Sequence, residues 1–563
     1  MASVWSDVLR REKVGTQDNF FELGGHSLLA TQVLSRVRDA FNVELPLRAI
    51  FENPTIAKLS RAVEDARVTH GHRIPMLEKV ERNGESPLSF SQQRLWFIEQ
   101  LEPGNPAYNI HAAVRLLGDL DTRVLQQSLE AVIERHEVLR TTFPEVDDQP
   151  VQRIGAPMSL NLPLLDLEDF ATDERESQAL SFIIDESQRP FDLAAGPMLR
   201  TKLLRMSERD HILILTMHHI VSDAWSMGVL VRDAAAFYKS FAEDSAVSLP
   251  ELQIQYADYA SWQRAWLQPE RLAESLGYWK RQLGDKPLSM QLPTDKPRPT
   301  AQTSNGALYQ VELSDELSSE VDDLSRRESV SVFMTLLSAF KVALSRYTAS
   351  DDIVVGTDVA NRSRSEVEGL IGMFVNQLVL RTDLSGNPTF TELLGRVREV
   401  ALEAYAHQDT PFDKIVEAIK PDRELDRNPL FQVMFGFQNT PTQPIELPGL
   451  SIGRMGIDNK TSVFDLSLYM SRQGSKLVGA MRYNTDLFEA STVGRILDEF
   501  KLVLQTVVKA ADVRLDALFE FIESEERAQA LAREQELEEA RMQAFTKVRR
   551  RTTQHRITEP ALI

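Results

Sequence analysis

HILILTMHHIVSDAWS, residues 211–226, runs an apolar stretch into two adjacent histidines, with Asp223 four residues beyond the second. The chain has only ten histidines, so placing His218 and His219 side by side asks for a cause. One cause is a polar pair that happens to cap a strand. The other is a strand end that presents a base into a channel. The apolar run bounded by polar residues reads as a buried strand. Successive strand side chains alternate in direction, so His218 and His219 point opposite ways. Which of them meets a channel depends on the rest of the chain.

Around this stretch, from 87 to about 515, helices and strands are mixed. TRVLQQSLEAVIERHEVLR, 122–140, reads as an amphipathic helix, DDIVVGTDV, 351–359, as a strand, and SVFMTLLSAFKVALSRY, 331–347, as a long, largely buried helix. The alternation predicts α/β layers, and about 430 residues predict two lobes.

The first 65 or so residues are different. ASVWSDVLRR and SLLATQVLSRVRDAF have apolar residues at helical spacing, the second placing Leu28, Val33, Val37 and Phe41 on one face. NPTIAKLSRAVEDAR offers Asn53 as an N-cap and Pro54 at the first helical position. The loop VGTQDNFFELGGH then delivers Ser27 to a helix start. Free N–H groups and the positive dipole end suit a phosphate there. A plain N-cap serine is the competing reading. VTHGHRIPMLEKVERNGESP lacks periodicity and reads as a linker, 67–86. The tail from about 520 is rich in Glu, Ala, Arg and Gln with i,i+4 charge pairs, as in an exposed helix or terminal linker. Its last residues read as disordered.

Composition narrows the function classes. With 563 residues, two to four domains are expected. Cysteine is absent, which excludes disulfides and thiolate chemistry and fits a reducing cytoplasm. There are 83 acidic and 63 basic side chains, a net charge of −20, which argues against a nucleic-acid surface. No apolar run approaches the roughly 18 to 20 residues of a membrane span, and the N-terminus has no secretory core.

DNFFELGGHSL resembles the peptidyl carrier protein of nonribosomal peptide synthetases. The segment from 87 onward resembles the condensation domain of the same synthetases. Seven stretches carry that second resemblance: SFSQQRLWFIEQLEPGNPAYNI from Ser89, RHEVLRTTF from Arg135, HHIVSDA from His218, YADYASWQ from Tyr256, IGMFVNQLVLRT from Ile371, HQDTPFDKIV from His407 and LDRNPLFQVMF from Leu425. The resemblance implies a four-helix-bundle carrier at 1–66 and a linker at 67–86. A condensation domain follows at 87–515, with two chloramphenicol-acetyltransferase-like lobes in a V, about 87–260 and 261–515. A charged tail occupies 516–563. It implies 4′-phosphopantetheine on Ser27, attached by a phosphopantetheinyl transferase and holding an acyl or peptidyl thioester. The expected partners are an upstream adenylation domain and a downstream carrier bearing an aminoacyl thioester; no metal, nucleotide, nucleic acid or membrane is implied. A carrier with no adenylation domain before it looks like a piece of a larger synthetase.

Within the family motif the second histidine, here His219, faces the tunnel. Neutral imidazole suits the proton lost by an attacking amine. An α-amine is already partly neutral near pH 7, so His219 matters more for orienting it, or for taking the proton from the tetrahedral zwitterion, than for initial deprotonation. His218 is the further catalytic candidate, with a buried, hydrogen-bonded histidine as its plainer reading. Asp223 completes the catalytic set with the two histidines; in the family its role is mainly structural, fixing the turn and the ring and pairing with an arginine, here Arg362 of GTDVANRSR. Ala224 departs from the family's glycine. If that position needs φ > 0 the alanine is strained; if it has helix-start angles only a methyl is added. The motifs point to an L-donor, L-acceptor condensation. The alternatives are a domain that dehydrates or epimerises the carrier-bound residue, and an inactive domain that recruits a tailoring enzyme.

Overall fold

The structure, a computed structural model, describes residues 1–68, 76–81, 84–284, 290–421, 426–438, 447–456 and 458–528, with the single positions 531 and 535. The N-terminal unit is four helices: α1 (Ala2–Leu9), α2 (Ser27–Phe41), α3 (Arg48–Glu52) and α4 (Ile56–Val68). The apolar spacing of α2 sends Ala30, Val33 and Val37 inward, where they meet Trp5, Phe20, Ile50 and Leu59, all fully buried. Two expectations shift. Leu28, expected on this core face, lines a cavity outside it. The α4 helix starts at Ile56 rather than at Pro54. Asn53 instead ends α3, its N–H donating to the Ala49 carbonyl, and the Thr55 hydroxyl accepts from the Lys58 N–H.

The strand Asp210–His218 lies inside a five-stranded sheet, antiparallel to Asn109–Gly118 on one side and Leu199–Ser207 on the other. Its alternation explains the unbroken apolar run. Leu213, Leu215 and Met217 feed the main N-lobe core, while Ile212 and Ile214 feed a second core shared with Ala179 and Ile183 of the helix Thr172–Gln188. A sheet covered on both faces needs apolar residues at every position rather than every second one. A small four-stranded sheet flanks this lobe.

The C-lobe is built on six strands in the order Asn376–Asp383, Asp352–Val359, Val433–Gln438, Leu466–Gln473, Lys476–Asn484 and Gly306–Glu312. The helix Val332–Thr348 packs across it with 13 consecutive residues, Phe333 to Ser345, buried. A boundary near 260 does not separate the lobes cleanly. The strand Leu450–Met455, which follows the C-lobe strand Val433–Gln438 in sequence, crosses over and pairs with Asn109–Gly118 of the N-lobe sheet.

The linker segment between the domains is laid on the N-lobe. Leu77 is buried, and the Val80 N–H donates to Asp258 Oδ1 at 3.0 Å. Residues 69–75 lie outside the described residues. At the other end, 515–528 are helical and bury Leu518 and Ile522, so the start of the expected tail belongs to the C-lobe core. The exposed helix expected beyond it lies almost wholly outside the described residues. Among the described residues no single helix is long and apolar enough to cross a membrane.

Candidate functional site

A cavity of about 460 Å³ opens where the four-helix unit meets the two lobes, and its wall includes both Ser27 and His219. The contact between the units is apolar at its centre, where the core of the four-helix unit continues into that of the C-lobe, and carries ion pairs around it. Arg36 pairs with Glu368 at 3.3 Å, Arg48 with Glu399 and Glu403 at 3.0 Å each, and the Ser365 hydroxyl donates to Asp39 at 2.6 Å. The four-helix unit thus sits with the N-terminus of α2 over the cavity.

The strand Asp210–His218 ends just before a single helical turn, His219–Val221. That turn separates the two histidines. His218 shares strand parity with Ile212, Ile214 and Thr216 and stays inside the N-lobe. It is 3% exposed, its Nδ1 accepts from the Ile220 N–H at 3.1 Å, and Phe191 packs against it at 6.0 Å between ring centroids. Burial pulls it down to about 3. His218, a catalytic candidate from the sequence, is therefore not brought to the cavity wall.

His219 is on that wall, with Nδ1 2.9 Å from the Met373 sulfur. Burial holds its pKa below the ordinary histidine value, against the upward pull of the Asp223 and Asp358 charges. The ring is therefore neutral near pH 7 and able to accept a proton.

Asp223 is fully engaged. Its Oδ1 accepts from the Ser226 N–H at 2.7 Å, capping the helix Ala224–Ala242, and its Oδ2 accepts from the Phe374 N–H at 3.1 Å. Arg362 lies 3.2 Å from Oδ1. Arg362 also donates to the Val367 and Leu370 carbonyls at 2.6 and 2.8 Å and to the Ser226 hydroxyl at 2.7 Å, and stacks 4.0 Å over Phe374. The two residues are 3% and 2% exposed. This ion pair joins the helix after the HHIVSD turn to the loop after the C-lobe strand Asp352–Val359. Gly372 lies in the same knot, and any Cβ there would fall inside the Tyr256 ring.

Ala224 is the first residue of its helix and is absent from the residues with left-handed backbone. Its backbone is unstrained, and its exposed methyl lines the cavity. Ser27 is likewise a first helical residue rather than a cap. His26 caps α2, its Nδ1 accepting from the Leu29 N–H at 3.4 Å. The Ser27 side chain instead shares the cavity wall with Tyr405 of the C-lobe.

The family model described as "Condensation domain" matches residues 82–531. The chain belongs to the condensation-domain family. Residues 1–63 match the model described as "Phosphopantetheine attachment site", so the family's carrier domain precedes the condensation domain, with its covalently bound 4′-phosphopantetheine. The chain is 47% identical over 534 residues to a component of the linear gramicidin synthase of Brevibacillus parabrevis, covering 94% of this chain and 10% of that protein. It is 36% identical to phosphinothricin tripeptide synthetase PhsB of Streptomyces viridochromogenes, covering 91% of this chain and 44% of that one. The chain thus spans about a tenth of the first of these nonribosomal peptide synthetases. Among solved structures it is similar to the X-domain from teicoplanin biosynthesis, with a TM-score of 0.72 at 28% identity, covering 79% of this chain and 99% of that one. The condensation domain from the Monacolin K polyketide synthase MokA gives 0.67 at 20%, covering 78% of this chain and all of that one. The fold is the two-lobed, chloramphenicol-acetyltransferase-like one.

The residues present fit a pantetheine arm. Ser27 has no capping duty, no acidic residue stands in the first turn of α2, and the cavity lies within the range of about 300–1,000 Å³ typical of cofactor sites. Sequence reasoning missed Tyr405, Met373, Asp358 and Tyr469. Asp358 left a signal, a lone carboxylate inside the apolar run IVVGTDV.

Proposed function

We propose that this chain forms a peptide bond between an acyl or peptidyl group held at Ser27 and the α-amine of an aminoacyl thioester on a downstream carrier. The cavity shared by Ser27 and His219 carries this reading. The 4′-phosphopantetheine arm supplies the donor as a thioester. In the transfer a C–N bond forms, the C–S bond breaks, and the proton leaving the amine nitrogen ends on the thiol. His219, neutral at working pH, orients the amine and takes that proton in passing. Asp223 and Arg362 hold the HHIVSD turn, and the backbone at Phe374, in register with His219. The L-donor, L-acceptor subtype is favoured by the HHIVSDA and SFSQQRLWF stretches. An upstream adenylation domain, a phosphopantetheinyl transferase and a cytoplasmic location complete the reading.

A second reading is favoured by one neighbour. The X-domain from teicoplanin biosynthesis, solved in complex with OxyB, matches at 29% identity and a TM-score of 0.71. On that reading the domain recruits a tailoring enzyme and performs no transfer. Intact-protein mass spectrometry separates the cases. Ser27 is loaded with a dipeptidyl-phosphopantetheine and mixed with a downstream carrier bearing an aminoacyl thioester. Peptide mass moving to that carrier supports condensation. An unchanged donor across several substrates supports the recruiting platform. A donor lighter by one water, with no acceptor present, supports a dehydrating domain.

A further inference from the structure

Asp358 lies on the strand Asp352–Val359, one strand in from the edge of the C-lobe sheet, and its side chain lines the cavity that holds His219. The position is built rather than incidental. Its Oδ2 accepts from the Tyr469 hydroxyl at 2.7 Å. Tyr469 reaches it by leaning over Gly436, its partner on the neighbouring strand, where a Cβ would sit 2.5 Å from two carbons of the Tyr469 ring. Among the described residues the other oxygen, Oδ1, has only the Gln377 amide, at 3.5 Å.

Among the described residues no lysine or arginine forms an ion pair with Asp358. Arg94 acts on it from a distance but is committed elsewhere: to Gln377 Oε1 at 2.9 Å, to Asp413 at 3.5 Å and to the Phe412 ring at 4.7 Å. Burial pushes the Asp358 carboxyl above the ordinary aspartate range, and two neutral donors do not offset it. Asp358 and His219 line the same cavity, within electrostatic reach of each other. A group held at Asp358 is therefore presented to His219.

The reaction brings one obligate cation to this place. An α-amine with a pKa of about 7.7–8.0 is mostly protonated at pH 7. We infer that Asp358, oriented by Tyr469, binds the α-ammonium of the incoming aminoacyl group and sets its nitrogen beside His219. This rests on the condensation reading above. Asp358 is then a positioning residue that decides whether the acceptor carries an amine, while His219 receives its proton.

Calorimetric titration of the full chain tests this without any transfer step. The probes are alanyl-aminopantetheine, an amide in place of the thioester, and its lactyl counterpart, in which a hydroxyl replaces the amine. Wild type is expected to bind the alanyl probe on the order of ten-fold more tightly. Asp358→Asn, with thermal unfolding checked, is expected to lose that preference and bind the lactyl probe as before. Tyr469→Phe, which leaves the carboxylate in place, is expected to retain part of it and serves if the first variant does not fold. Equal affinity of wild type for the two probes, no binding of either at millimolar concentration, or a preference kept in Asp358→Asn overturns the inference. A third probe, lysyl with its α-amine acetylated, separates the two sources of an ammonium. Tighter binding of this probe than of the alanyl one assigns Asp358 to an acceptor side chain and overturns the α-amine assignment. Binding with the expected preference but no transfer overturns the condensation reading alone.

Discussion

Replacing Asp223 with alanine should unfold this domain more than it disarms it. The carboxylate receives three donors: the Ser226 N–H, the Phe374 N–H and Arg362. Losing one partner of a buried ion pair costs about 3–5 kcal/mol. A lost N-cap costs about 1 kcal/mol, and a buried orphan N–H about 1–3 kcal/mol. The three belong to one network and do not simply add, so about 4 kcal/mol is a fair minimum. Against a typical domain stability of about 5–15 kcal/mol this is a large share. Scanning calorimetry should show the transition of Asp223→Ala falling by several degrees. His219→Ala, a truncation at the cavity wall, should stay close to wild type. The double variant Asp223→Ala, Arg362→Met should recover part of the loss, because it leaves no buried charge unpaired. If Asp223→Ala melts with wild type yet fails to transfer, the carboxylate acts on the chemistry and the structural account is wrong.

Three further outcomes follow from other parts of the molecule. Lys341 is fully buried in the C-lobe, donating to the Ile353 and Leu380 carbonyls, and desolvation pulls it from 10.5 down to about 7. From about pH 7 to 10 the unfolded chain holds a proton that the folded chain has lost, so stability rises with pH across that window. Urea midpoints at pH 7 and 9 should show that rise in wild type and not in Lys341→Met, and parallel behaviour of the two contradicts the assignment. Arg48→Glu should slow transfer from a carrier supplied in trans and should barely affect the tethered chain, because tethering raises effective concentration; Glu403→Arg in the condensation domain that receives it should restore the trans rate. Ala224→Gly should change stability by less than about 1 kcal/mol and leave transfer intact, since the alanine backbone is unstrained; a large gain in rate would show that the methyl obstructs the channel.

The parts legible in the sequence were those written as local patterns. The run ILILTM ahead of the histidines, the helical spacing of α2 and the buried helix Val332–Thr348 each follow from one element's periodicity. The Ser27 position was legible because a glycine pair precedes a helix start, yet the cap proved to be His26, a residue with weak capping preference. Leu28 was misplaced because periodicity cannot tell a core face from one that meets another domain. What the sequence hid was set by long-range contact. The crossing strand Leu450–Met455 pairs with residues more than 330 positions earlier, and its local pattern does not name the sheet it joins. Tyr405 joins Ser27 on the cavity wall only where the carrier docks on the C-lobe, and Tyr469 meets Asp358 only once the C-lobe sheet has formed. The pairing of Asp223 with Arg362 was expected from the resemblance. The geometry adds that the pair also grips Phe374 and Ser226.

The account stands on His219 acting in the cavity that Ser27 overlooks. The measurement that tests it most directly is the single-turnover rate of peptide transfer from loaded Ser27 to an aminoacyl carrier, in wild type and in His219→Ala. Both chains should be equally folded and equally loaded. The account predicts transfer in wild type and a rate about 10²–10⁴-fold slower in His219→Ala. Transfer in His219→Ala within a few-fold of wild type would contradict it.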